Sequence, residues 1–85
     1  MSEIKRQKVK SSNVVSIGYD EILRVLAVEF NPTKKHLADG TENVYFYPGF
    51  PKPVFDEFLE AKSVGKFFHA HVRGKYKAFR VQGEE

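Results

Sequence analysis

Apolar and polar residues alternate with period two in the first half of this chain and recur at helical spacing in the second. From Ser12 to Tyr19, Val15, Ile17 and Tyr19 alternate with Val14, Ser16 and Gly18, and β-branched residues at that period predict a strand. Asp20-Glu21 is polar and predicts a tight hairpin turn. A second strand is expected from Leu23 to Phe30, with Leu26, Val28 and Phe30 on one face and Ala27 and Glu29 on the other. Pro32 ends it, because proline lacks the donor that a strand ladder needs. Residues 31–42 read as a long polar loop closing on the turn signal Asp39-Gly40. A third strand runs from Val44 to Tyr47 and stops at Pro48-Gly49.

Beyond that point the period changes. Pro51 and Pro53 suit the first turn of a helix, where a missing N–H costs nothing. Val54, Phe55, Phe58 and Leu59 follow at helical spacing, and Asp56 and Glu57 complement the helix dipole in the first turn. Ser63 is a good N-cap for a second short helix. Val64, Phe67, Phe68 and Val72 then share one side of it, and Gly74 ends it. Gly65 costs that helix about 1 kcal/mol relative to alanine. Residues 76–81 alternate weakly and stand as either a fourth strand or an irregular tail. Residues 1–10 have no hydrophobic period and read as a flexible basic arm. The expected fold is therefore α+β: a small antiparallel three-stranded sheet, with or without a fourth C-terminal strand, and two short helices on one face. The domain should span residues 11–82, with a short tail at 83–85.

Several of these segments, taken in order, resemble the KTSC domain, which is found at the C-terminus of some lysyl-tRNA synthetases and as a stand-alone small protein of bacteria and their phages. They are Ser11-Ser12-Asn13-Val14, Gly18-Tyr19-Asp20, Leu26-Ala27-Val28-Glu29-Phe30, Tyr45-Phe46-Tyr47, Pro53-Val54-Phe55, and Ala61 to Phe68 continuing through Val72-Arg73-Gly74-Lys75-Tyr76. The resemblance covers residues 11–77. Two features depart from it: the loop 31–43 is longer than usual, and His69 and His71 replace polar residues that do not ionise. The synthetase context suggests RNA binding, by analogy alone.

Charge sharpens this expectation. The formal net charge of +3 is unevenly spread. Residues 1–10 carry +3, residues 11–60 carry −4, and residues 61–85 carry +4. From residue 61 to 83 no acid interrupts the cations, and aromatics lie among them. Such asymmetry points to an anionic partner. The chain has no cysteine, which removes disulfides, thiolate metal sites and thiol nucleophiles. A monomer in a reducing cytoplasm is expected, with no signal peptide and no apolar run of membrane-spanning length.

The candidate chemistry follows from the same stretch. Tyr45 and Tyr47 lie two apart on a strand and so share a face. If the helices cover the opposite face, bases can stack on the two rings; otherwise both rings pack in the core. Lys62, Lys66, Arg73, Lys75 and Lys77 can follow a phosphate backbone, or simply form a solvated basic surface. Arg73 is the strongest of these, because its planar fork matches a phosphate. His69 and His71 do not share a helix face, and a third ligand is missing nearby, so no metal or cofactor is expected. Asp20 reads as a turn residue bonding its own backbone. No phosphate loop, nucleophile–base pair or paired carboxylates suggest an enzyme. The expectation is a non-catalytic module binding RNA or single-stranded nucleic acid. The alternative is an adaptor that docks an acidic protein surface, with Phe50 and Phe55 as apolar anchors if they are exposed.

Overall fold

A computed structural model describes residues 4–81. A five-stranded antiparallel sheet is laid down in strict chain order. Its strands are β1 (Arg6–Lys8), β2 (Val14–Asp20), β3 (Val25–Phe30), β4 (Asn43–Pro48) and β5 (Phe79–Arg80). Three helices accompany it: α1 (Lys34–Asp39), α2 (Lys52–Glu60) and α3 (Val64–His71). The α+β class and the antiparallel sheet agree with the sequence reading. The three-stranded, two-helix count does not.

The central strands follow the alternation read above. Ile17, Val28 and Tyr45 lie in register, as do Tyr19, Leu26 and Tyr47. These residues face α2 and α3 and build one core with Phe50, Phe55, Phe58, Val64, Phe68 and Val72. One position departs from strict alternation. Val14 pairs with Phe30 and Ser16 with Glu29, so Val15 is an extra residue on its strand. This bulge turns Val14 rather than Val15 into the core, where it is fully buried.

Proline and serine mark the starts of the two helices that cover the sheet as expected, but Asp56 and Glu57, expected in the first turn of α2, lie beyond it because the helix already begins at Lys52. Pro51 occupies the N-cap of α2 and Pro53 lies in its first turn. The Ser63 hydroxyl accepts from the Lys66 amide at 3.2 Å to cap α3. Val72 and Arg73 amides both bond to the Phe68 carbonyl, and Gly74 leaves the helix at φ 78°. The turn between β2 and β3 is built by Asp20, whose Oδ1 accepts from the amides of Ile22 (2.9 Å) and Leu23 (3.0 Å). Leu23, placed by its sequence in the second strand, thus belongs to this turn and is exposed.

Two segments need correction, and a third, left open by its sequence, is decided. The expected flexible arm contains β1, which pairs with β2 through Arg6↔Gly18 and Lys8↔Ser16. The long polar loop contains α1, capped by Thr33, whose hydroxyl accepts from the His36 amide, and by Gly40 in the left-handed region. The C-terminal alternation yields a strand of only two residues, Phe79 and Arg80, paired with Phe46 and Tyr45. The expected tail at 83–85 lies outside the described residues.

Candidate nucleic-acid interface

The two tyrosines of β4 point toward the helices, not away from them. Tyr47 is 4% exposed, and its ring meets Phe68 edge-on with centroids 6.0 Å apart. Burial, and next to it the neighbouring Tyr45, push its hydroxyl up to about 12. The open-sheet stacking platform is therefore overturned for Tyr47: alternation put both rings on one face but left open which face the helices would cover. Tyr45 is half-buried and makes an edge-on pair with Phe30 at 5.7 Å, which in turn meets Phe68 at 5.2 Å.

The opposite face of the sheet is polar toward β1 and aromatic toward β5. It carries a polar network in which Arg6 Nε donates to Ser16 Oγ (3.1 Å), Ser16 Oγ donates to Glu29 Oε1 (2.7 Å), and Arg6 Nη2 donates to Glu42 Oε1 (2.9 Å). These groups satisfy one another across β1, β2 and β3. Phe46 lies on that face, half-buried, and is paired across the strands with the exposed Phe79.

One concavity lies on the helix side, where α3 meets the sheet. A cleft of about 350 Å³ opens there, with Val14, Phe30, Tyr45, Tyr47 and Phe68 as walls and floor. Asn13, Gly65, His69, Arg73 and Ala78 complete its lining. Arg73 Nη1 approaches His69 Nδ1 at 3.4 Å, one helical turn away. A second cleft of about 300 Å³ adjoins it, lined by Lys10, Ser11, Ser12, Lys62, Ser63 and Lys66 and sharing Asn13, Gly65 and His69 with the first. Among the described residues, no acid lines either cleft.

The ion pairs show why these cations are available. Arg6 pairs with Glu29 and Glu42, Lys35 with Asp39, and Lys52 with Glu21 and Asp56. All of these lie before residue 60. Lys10, Lys62, Lys66 and Arg73 pair with no described acid. Lys52 shows the contrast: its bond to Asp56 raises its pKa.

Of the residues singled out from sequence, the structure brings Tyr45, Tyr47, Lys62, Lys66 and Arg73 to the paired clefts. Lys75 and Lys77 line neither, and Lys77 lies 5.6 Å over the Phe79 ring. Sequence reasoning missed Lys10, Asn13, Phe30, Gly65 and His69 as lining residues. Lys10 reads as part of the arm and Phe30 as one of three apolar residues on a strand face, and nothing local in the sequence shows that the 10–13 segment lies beside the start of α3. The apolar anchors Phe50 and Phe55 are both buried, so they offer no partner a handhold. His71 leans on Phe67 at 4.5 Å, away from the cleft to which His69 belongs. Among the described residues, no three His, Asp or Glu side chains gather, and no helix is long and apolar enough to cross a membrane.

Comparison with known proteins agrees with this architecture. The chain is similar to a KTSC domain protein from Yersinia pestis, whose crystal structure aligns with a TM-score of 0.79 at 31% identity. That match covers 94% of this chain and all of the other. It is 33% identical over 72 residues to a protein of Tsukamurella paurometabola, covering 85% of this chain and 94% of the relative. It is also 30% identical over 79 residues to an uncharacterized protein of Stutzerimonas stutzeri, covering 92% and 99%. The KTSC domain family model matches residues 10–76, a span that holds both clefts' lining except Ala78, and the chain belongs to the KTSC domain family.

Proposed function

We propose that this domain is a non-catalytic module that binds RNA, or single-stranded nucleic acid generally, across the paired clefts beside α3. One observation carries the reading: four cations without described acidic partners line two adjoining clefts, Arg73 the one with the aromatic floor and Lys10, Lys62 and Lys66 the other, and no described acid lines either. Cations of this kind supply affinity for phosphates without sequence information. Tyr45 and Phe30 supply apolar ring surface for an unpaired base. A titration of labelled single-stranded RNA at low salt tests it. With about three phosphates contacted, log affinity falls against log salt with a slope near −2. Arg73→Ala weakens binding and flattens that slope by about 0.7. An Arg73→Ala protein that binds like the parent, or a parent with no detectable binding at low salt, ends this reading.

A protein-adaptor reading is favoured by a different place. The β2–β3 turn displays Ile22 at 91% and Leu23 at 66% exposure, held there by Asp20. Two adjacent aliphatic residues on a rigid turn suit a partner's apolar pocket. Partners that survive nuclease treatment in a pull-down and are lost with Ile22→Ser support this second reading.

A further inference from the structure

The two clefts differ in chemistry and meet along three shared residues. The first is apolar and aromatic, bounded by Phe30, Tyr45 and Phe68. The second is cationic and hydroxylic, bounded by Lys10, Lys62, Lys66 and three serines. Gly65 lines both, with Asn13 and His69. A volume of about 350 Å³ is at the small end for ligand sites, enough for one flat ring system and not for a stack of bases.

Gly65 has no conformational reason to be glycine. It lies in the first turn of α3, and it is not among the glycines with positive φ. A Cβ built there meets Ser11 Oγ at 3.6 Å and Asn13 Nδ2 at 3.9 Å, ordinary contact distances. Alanine would fit the protein and favour the helix, since glycine is the poorer helix former. What alanine would change is the passage between the clefts, because its methyl would project toward the Ser11–Asn13 wall. Glycine at a place where a backbone is closely approached is a recurring use of that residue.

We infer that the paired clefts take a single nucleotide as a unit: its base in the aromatic cleft, its phosphate among Lys10, Lys62 and Lys66, and the link between them crossing Gly65. This rests on the nucleic-acid reading and narrows it. Recognition is of one unpaired nucleotide and its own phosphate, so a free mononucleotide is a sufficient ligand. The ligand is bipartite, because the ring surface lies in the first cleft, whose lining holds one cationic side chain, Arg73, whereas three lysines line the second.

The test uses the full chain and three probes followed by amide chemical shifts: adenosine 5′-monophosphate, adenosine, and inorganic phosphate. The mononucleotide is expected to shift the Asn13, Gly65 and His69 amides saturably. Adenosine and phosphate should each bind at least about tenfold more weakly. Gly65→Ala should weaken mononucleotide binding about tenfold while raising the melting temperature, so lost binding cannot be ascribed to a damaged fold. If single-stranded RNA binds but the mononucleotide shifts nothing, the one-nucleotide site is wrong while the broader reading stands. If neither binds, both fall. Undiminished mononucleotide affinity in Gly65→Ala also overturns the inference.

Discussion

Tyr47 shows how one side chain can answer to packing and to solvent chemistry at once. Its ring is held among Phe68, Leu26 and the rest of the core, and its edge reaches the cleft. Truncation to alanine should cost about 3–5 kcal/mol, the range for buried aromatics. That would leave a domain of this size close to unfolded. Burial also sets a pH dependence. The folded pKa, pushed up to about 12 from 10, exceeds that of the unfolded chain, so the native state holds this proton more tightly. The resulting stability is complete below pH 10 and is lost as pH rises through 10 to 12, by about 2–3 kcal/mol at most. Tyr47→Phe keeps the ring and removes the proton. Its denaturation free energy should fall less steeply across that window than the parent's, and identical alkaline profiles would contradict the assignment. The tyrosine pair was legible in the sequence as two residues on one strand face. Which face the helices would cover was not, because Tyr45 and Tyr47 compete with Phe46 for burial and strand alternation separates the two faces without saying which is covered.

At the level of elements, what could be read depended on what holds each piece in place. Strands β2 to β4 and helices α2 and α3 are fixed by burying one face, so their periods appear in the sequence. Strand β1 is fixed differently. Arg6-Gln7-Lys8 buries no apolar face and is retained by ladder bonds and by the Arg6–Ser16–Glu29 network. Helix α1 buries no residue and rests on a capping box between Thr33 and His36, so no amphipathic stripe announces it. The bulge at Val15 escaped for a related reason: a register shift is set by the partner strand, not by the residues that make it. Gly18 ties β1 to the rest. An added Cβ there would lie 2.0 Å from the Lys5 carbonyl oxygen, a backbone atom that cannot step aside alone. Gly18→Ala is therefore expected to release residues 5–8 from β2 while the helix-side core persists. Hydrogen exchange should show lost protection in β1 with near-parental protection in β3. Unchanged protection of β1 would refute this.

Across the whole molecule, charge and connectivity divide the chain in similar ways. The ion pairs consume cations between residues 6 and 52, and the described cations after residue 60 face no described acid. The sequence disclosed that gradient directly, whereas the meeting of the 10–13 segment with α3 is a product of tertiary folding. The same long-range logic governs the sheet. The family match ends at residue 76, and β1 and β5 both lie outside it. Every residue of the buried hydrophobic core lies inside it, from Val14 to Val72. The two outer strands thus add little to the core. They cover what would otherwise be bare hydrogen-bonding edges on β2 and β4. A chain cut to residues 10–76 should keep its fold and lose its protection against strand-to-strand addition. It should sediment as a concentration-dependent mixture of dimers and larger species where the full chain sediments as one small species. The few residues of β1 and β5 would then act as guards, keeping a small sheet from growing by recruiting its own copies.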